Sequence, residues 1–597
     1  MSADQSIQTV TKVDPVTFEL VRNSLKAVCA EMALVVSKTA YSVAINEGKD
    51  FAGTVSDANG SLVTQSDYDL PAFVGLSMYS TKEVVKQIGL ENMEPDDTYW
   101  INDPYVASTH CNDMHFVRPV FYEGKVAAFV ESTAHWSDVG GAVPGSLNSR
   151  ATSYFDEGVR LPAVKVYHKG ELQRDVVSLV MTNVRDSWER MGDLNAQCSA
   201  LKTGDLRLQE MFKKHGLQTV HDCMEELQSY SERLIRSALT AIPDGTYKTE
   251  DFNDQVFETG KPAAFRVELT IEGDHATFDL SESDDTVPGS INTTIVSTTS
   301  SLFNSLGAIL PPMPMNAGVM RAITIKTRRG SICHALPPTA VSLQASSMEI
   351  LVGCGVQVLS KALPERGAGT CSTILNTVFT GIDNREGFGN APFLEYVWAV
   401  GGMGGTKYKD GPNVIGTAFT ATIQNIPAEM QERRFPLFWR RYQIKQDTGG
   451  PGEQRGGLGL DQICEFPYVG GHLTNFGNRA EIGPPGCFEG ERGATAGLLL
   501  NRDTENERRV GLVSVNVPVD VGETFHFWSA GGGGYGDPLD RTVENVVDDI
   551  RDDFLSIGKA REEYGVVVAE RDRRTLDYDV DTAATEKLRK EMRAQRT

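Results

Sequence analysis

The sequence lacks paired cysteines, long apolar runs, a surplus of basic residues and a phosphate-binding loop. Its nine cysteines (Cys29, Cys111, Cys198, Cys223, Cys333, Cys354, Cys371, Cys464 and Cys487) stand singly, without a C-x-x-C pair. An odd number of scattered cysteines argues against a disulfide framework and for buried thiols in a reducing compartment. No segment approaches the 18 or so uncharged apolar residues of a membrane span. The N-terminal stretch MSADQSIQTVTKVDP is polar and has no apolar signal-peptide region. These absences together point to a cytoplasmic protein. Basic residues number 57 against 80 acidic ones, a formal charge of -23. That balance argues against nucleic acid and against an anionic membrane surface as partners. It reads instead as a solubilising surface. Without G-x-x-x-x-G-K-[ST], ATP binding through such a loop is not expected on this chain. G-x-S-x-G is missing too, so no nucleophile elbow is expected. Gly531, Gly533 and Gly536 formally match G-x-G-x-x-G, but Asp537-Pro538 follows instead of a helix. A tight backbone turn is the expectation there, not a dinucleotide site.

What is present fits a chain too long, at 597 residues, for one core. Asp14-Pro15 forms a helix start, with Asp as cap and Pro in the first turn. Phe18, Val21, Leu25, Val28, Met32 and Val35 then recur at helical spacing as one apolar face. DFAGTVSDANGSLVTQ reads as a hairpin turning at Ala58-Asn59-Gly60, and FVRPVFYEGKVAAFVESTAH as another turning at Glu123-Gly124. Residues 186–240 are helical in pattern, and 243–283 suggest an antiparallel pair around Glu272-Gly273-Asp274. Residues 290–375 read as buried helices with loops. From about residue 380, GGMGG, GGPGEQRGGLG and GGGGYG punctuate a strand-rich half. A helix is expected at 542–562, then a charged tail that either docks as a helix or is disordered. The expected class is mixed α/β (α+β) and multi-lobed. Its parts are a metal-binding domain at 13–240, a central α/β region at 241–380, a glycine-rich, strand-rich domain at 381–570 and the tail at 571–597.

Three of the ten histidines fall in one short window: His110, His115 and His135. A metal ion needs several lone pairs converging on one point. His110 and Asp113, three apart, share a side of a turn. The strands around Glu123-Gly124 lead from Asp113 to His135 and can bring a third donor. Two histidines and a carboxylate, with positions left open, make a catalytic metal site. Asp138 and Asp103 are candidates to accept the second ring N–H of a ligating histidine. His115 shares the strand face of Asp113 and is either an extra ligand or a half-buried strand histidine. Cys111, between the candidates, is a possible nucleophile without an identifiable activating partner. The other histidines are isolated and read as structural or exposed.

DPVTFELVRNSL, INDPY…TH..D, AHWSDVGG…PGS, GGGGYGDPLDR and REEYGVV, in that order, resemble the hydantoinase B family. The likeness runs from about residue 13 to 570. That family includes B subunits of ATP-dependent hydantoinases and caprolactamase, the matching half of oxoprolinase, and subunits of acetone and acetophenone carboxylases. The resemblance implies a partner A subunit that binds ATP and phosphorylates the substrate's oxygen, in a hetero-oligomer of (αβ)2 type. It implies one metal, zinc or manganese, on this chain, held by Asp50, His110, Asp113 and His135. Glu47-Gly48-Lys49-Asp50 departs from the family's Glu-Arg-x-Asp run by lacking the arginine. The implied activity is ATP-dependent hydrolysis of a cyclic amide such as a hydantoin, lactam or 5-oxoproline. The alternative is a ketone carboxylase subunit fixing CO2 or bicarbonate onto an activated enolate. A third class, a scaffold for an ATPase subunit, leaves the four-ligand set without a purpose.

Overall fold

The computed structural model describes residues 13–257, 259–572 and 575–596. Helix α1 (Pro15–Thr39) starts as its sequence dictates. The Asp14 carboxylate accepts the N–H groups of Val16 and Thr17 at 3.1 and 3.0 Å. After the short α2 (Val43–Asn46), strands β1 (Phe51–Asp57) and β2 (Leu62–Gln65) form the first expected hairpin. Its Gly60 sits at φ +76°, where a side chain would strain the turn. Helix α3 (Pro71–Ile88) and strand β3 (Thr98–Ile101) follow, then β4 (Asp113–Tyr122) and β5 (Lys125–His135). The β4–β5 turn falls on Glu123 and Gly124, both with positive φ, which suits the twist of a tight hairpin. Strands β6 (Val164–His168) and β7 (Glu171–Leu172) complete an antiparallel sheet ordered β2-β1-β5-β4-β3-β6-β7.

Three helices close this region: α4 (Arg174–Asn183), α5 (Ser187–His215) and α6 (Leu217–Thr240). Leu25 and Met32 of α1, Leu194, Leu201 and Leu208 of α5, and Phe116 and Val130 of the sheet share one buried cluster. The apolar stripe of α1 is therefore a core stripe, with Phe18 and Val35 at its half-buried edge.

The antiparallel pair expected around Gly273 is there, as β9 (Ala263–Glu272) and β10 (His275–Asp279). Strand β8 (Gly245–Asn253) flanks it on one side, and β11 (Ile323–Lys326), paired in parallel, on the other. Helices α7 (Ile295–Ile309) and α8 (Gln344–Ala362) are almost wholly buried. They approach closely because small residues face each other: a Cβ on Gly355 would lie 2.2 Å from Ser305 Oγ.

The chain then builds two further sheets. One holds β12 (Leu375–Asp383), β13 (Ala391–Ala399), β16 (Gly471–Phe476) and β19 (Ser514–Val519). The other, entered after α9 (Ala428–Arg434), holds β14 (Phe438–Ile444), β15 (Leu460–Glu465), β17 (Gly497–Leu500), β18 (Arg508–Arg509) and β20 (Thr524–Trp528). The three glycine runs are not turns, contrary to expectation for GGGGYG. Of its glycines only Gly536 has positive φ. The runs lie against one another, joined by backbone hydrogen bonds. Gly457 N–H donates to Met403 O (2.7 Å), Gly532 N–H to Gly457 O (2.9 Å) and Gly450 N–H to Gly532 O (2.8 Å). A Cβ on Gly531 would lie 1.7 Å from the Thr448 carbonyl oxygen, and one on Gly402 1.8 Å from that of Gly457. Close approach of backbone to backbone, not conformational freedom, requires these glycines.

The expected helix at 542–562 is two helices, α10 (Val543–Arg551) and α11 (Ile557–Tyr564). Thr542 and Ser556 cap them separately, and Asp553 breaks the path at φ +59°. After β21 (Val568–Asp572) and β22 (Asp577–Val580), the tail forms α12 (Thr582–Arg596) and docks. Arg589 donates to the carbonyls of Tyr564 (2.9 Å) and Arg541 (2.7 Å). No described helix is long and apolar enough to cross a membrane.

Candidate metal centre

The β4–β5 register sets Asp113 directly opposite His135. Strand β1 pairs with β5 so that Phe51 faces Ala134, and His135 N–H donates to Asp50 O at 3.1 Å. Before β4 the chain turns sharply: Asp113 N–H donates to His110 O (3.1 Å) and Ser108 Oγ to the same oxygen (2.9 Å). Asn112 clamps that turn to the end of β5, exchanging hydrogen bonds with the Trp136 backbone at 2.8 and 2.9 Å. Behind the strands, Gln197 of α5 accepts from the Trp136 indole (3.0 Å) and donates to Met114 O (3.0 Å).

These ties converge three donors. One ligand atom each of His110, Asp113 and His135 lies within 4.8 Å of the others, all buried. His110 Nε2 is 3.7 Å and His135 Nδ1 3.1 Å from the Asp113 carboxylate. The two imidazoles stand edge to face, 4.9 Å apart. The Thr109 hydroxyl contacts the same carboxylate. Burial lowers His110 to about 4, with Asp113 opposing the shift, and burial beside Arg190 lowers His135 to about 3. Both imidazoles are thus neutral at ordinary pH, with lone pairs free. Burial raises Asp113, and it raises Asp50 still more, with the Asp113 charge adding to it. His110 Nδ1 and His135 Nε2 are buried without a hydrogen-bond partner. Neutral imidazoles beside carboxylates that are costly to ionise make a donor set that a divalent cation would complete.

The cluster lines one side of a cavity that Asp50 also lines. The opposite wall comes from far along the chain, and sequence reasoning missed it. Trp398 lies across from Asn376, and Asn376 across from Phe476, in the sheet order β13-β12-β16. Tyr396, two residues before Trp398, projects from the same face. Phe73, Phe419 and Glu349 add to the lining. Gly48 matters here: a Cβ on it would lie 2.3 Å from the Trp398 ring. The indole occupies the space that a side chain at position 48 would need. Lys49 turns away, its ammonium on Ser37 Oγ at 2.7 Å.

The other candidates have different work. Asp138 is not a histidine's acceptor. It takes the N–H groups of Gly140 (2.8 Å), Gly145 (2.9 Å) and Arg185 (2.9 Å) and pairs with the Arg185 guanidinium (3.0 Å). Asp103 likewise caps its own turn through Tyr105 N–H (3.0 Å) and meets Arg160 at 3.3 Å. His115 is fully buried and bound to Glu131 (2.8 Å), which Ser80 and Thr81 also serve. It is a satisfied core histidine, outside the cluster. Burial pushes the Cys111 thiol far up, so it is no poised nucleophile. All nine cysteines are free, seven of them buried.

Glu349 is an acid held neutral in the cavity wall. Burial raises it to about 8, although Ile374 N–H (3.0 Å) and Thr417 Oγ1 (3.2 Å) donate to it. Folding therefore favours its protonated form. Its stabilising effect is present below the ordinary carboxylate value and is lost as pH rises toward about 8. Asp69 and Glu157, raised to about 7 by burial, act in the same direction. Glu349→Gln should flatten the loss of melting temperature between pH 5 and 8. A slope identical to the wild type's would refute this.

The hydantoinase B/oxoprolinase family profile matches residues 14–538. The B subunit of a putative D-/L-hydantoinase from Pseudomonas sp. (strain NS671) is 30% identical, across 97% of this chain and 98% of that protein. The caprolactamase beta subunit of Pseudomonas jessenii is 31% identical, across 93% and 96%. The crystal structure of the ATP-dependent caprolactamase from Pseudomonas jessenii superposes with a TM-score of 0.86 at 28% identity, covering 97% of this chain and all of the matched one.

Proposed function

This chain belongs to the hydantoinase B/oxoprolinase family, and on that premise we propose that it is the metal-holding B subunit of an ATP-dependent cyclic amidase. The observation that carries the reading is the cluster of two neutral imidazoles and one carboxylate in an apolar-walled cavity. Named relatives that act on hydantoins and caprolactam, spanning nearly the whole chain, support it. His110, Asp113 and His135 would hold the ion, with Asp50 as fourth donor. When bound, a divalent ion supplies Lewis acidity and acidifies a water it holds.

The chain's own residues prepare the rest. An amide carbonyl resists attack because of resonance, so a partner of A type would phosphorylate its oxygen at the expense of ATP. Water would then add to that carbon, the ring C–N bond would break as the nitrogen takes up a proton, and a second water would hydrolyse the resulting acyl phosphate to carboxylate and free phosphate. Phe73, Phe419 and Phe476 keep bulk water from the activated substrate. Low histidine basicity keeps both rings available as donors rather than as cations.

The wall also sets charge preference. None of the described lining residues is lysine or arginine, while Asp50, Asp113 and Glu349 are acids. Two carboxylates already balance a divalent ion. Neutral lactams and hydantoins should therefore exceed 5-oxoproline in kcat/KM by about tenfold or more, since leaving its carboxylate in the cavity without a cation to pair with costs over about a kcal/mol. A preference for 5-oxoproline would overturn this charge argument. The parent reading is tested by co-purifying the chain with its A-type partner and supplying ATP with cyclic amides, or with ketones plus bicarbonate. Ring opening coupled to ATP use is expected. Turnover only with a ketone and bicarbonate would replace the amidase by a carboxylase.

A further inference from the structure

Tyr396 is 6% exposed, and its hydroxyl has no hydrogen-bond partner. Buried tyrosine hydroxyls normally find one, because an unpaired polar atom away from water is costly. Tyr564 also carries an orphaned hydroxyl, but it is packed in the core beneath the C-terminal helices. Tyr396 differs in lining the cavity that holds the histidine–aspartate cluster. Its ring stands edge to face with His135, centroids 5.3 Å apart. Trp398 and Phe476 hold the ring from behind, at 6.4 and 6.2 Å. The phenol is thus fixed in direction by three aromatic neighbours, beside the candidate ligands, with its one donor unused.

We propose that Tyr396 is a catalytic residue that donates a hydrogen bond to the substrate atom that gains charge at the reacting carbon, the ring nitrogen of an O-phosphorylated amide. That nitrogen gains electron density as water adds across its C=N bond, so a fixed donor aimed at it helps the transition state more than the ground state. Asn376, on the same sheet face, lines the same cavity and adds a carboxamide suited to the edge of a ring amide. The assignment rests on the amidase reading for the identity of the acceptor atom, not for the existence of the donor.

The test is Tyr396→Phe in the complex co-purified with its A-type partner, supplied with metal and ATP. The phenyl ring keeps the packing on His135, so metal content should be unchanged and the melting temperature equal or higher. With hydantoin or caprolactam, kcat should fall about 100-fold with KM within a few-fold, the usual effect of removing one preorganised donor to developing charge. Calorimetric titration of caprolactam into the complex without ATP should show binding weakened no more than about tenfold, the range of a single ground-state hydrogen bond. A kcat within twofold of wild type overturns the proposal. If the wild-type complex acts only on a ketone with bicarbonate, the amidase reading fails, and the same variant is read on that reaction. A 100-fold fall there still supports Tyr396, and an unchanged kcat rejects it. Loss of metal in the variant would also reject it, because it would make Tyr396 a structural support of the cluster.

Discussion

Asp113→Asn should leave a folded chain that holds no catalytic metal and supports no turnover. The exchange preserves shape but removes the charge between His110 and His135. Altering groups that merely support metal ligands weakens binding about 10- to 100-fold, so losing the central ligand should exceed about 100-fold. Stability separates this outcome from simple misfolding. Burial makes ionised Asp113 costly without a cation. The metal-free variant should therefore melt at or above the temperature of metal-free wild type. Added zinc or manganese should raise the wild-type melting temperature, because an ion that binds only the native state stabilises it by mass action. The variant should show no such rise. Elemental analysis and melting curves with and without metal decide the matter. A variant that keeps both metal and activity would remove the cluster from any catalytic scheme.

Gly531→Ala should be the most damaging single methyl in the molecule. The added Cβ would stand 1.7 Å from the Thr448 carbonyl oxygen and close to its carbon, at 2.3 Å. Neither atom belongs to a side chain that could swing aside. Thr448 Oγ1 donates to Lys445 O at 2.7 Å and accepts from Gly459 N–H at 2.9 Å, so the segment is pinned on both sides. Overpacking a core commonly costs about 1–3 kcal/mol where side chains can adjust, and here the backbone itself must move, so the loss should exceed about 3 kcal/mol. The variant should express insolubly or melt far below wild type. Gly522→Ala is the matching control. Its φ of +86° makes the exchange mildly strained, yet nothing lies within 4 Å of the new Cβ. Equal melting temperatures for the two variants would show that the glycine layer is not tightly packed.

Much of the first two hundred residues was legible without coordinates. The Asp14 cap, the stripe on α1 and the turns at Gly60 and Gly124 are local features. Their causes lie within a few residues of their effects: a side-chain oxygen reaching its own backbone, a 3.6-residue period, a positive φ. The pairing of Asp113 with His135 is almost as local, since one tight turn of known twist joins their strands. Spacing therefore pointed to these residues as neighbours. Asp50 could be reached only through the family resemblance, because β1 joins β5 across some 80 intervening residues.

The misjudged residues share a different trait. Asp138 and Asp103 stand near the candidate ligands in sequence, yet each spends its polar atoms on a nearer spatial neighbour. Asp138 is surrounded by backbone N–H groups of the following loop and by Arg185, and Asp103 is taken by the Tyr105 N–H of its own turn and by Arg160. Composition showed that glycine was abundant after residue 380 but not why, because a turn and a backbone contact demand the same residue.

The sequence by itself determined the elements, the hairpins and the donor types gathered near residue 110. Patterning of apolar and polar residues states which face of an element is buried and how its chain turns. It does not state against what that face is buried. Only the tertiary structure decided that Tyr396, Trp398, Asn376 and Phe476, more than two hundred residues later, form the cavity wall opposite His135. That choice follows from how whole sheets pack on one another, a sum of many weak contacts that no short window of sequence contains.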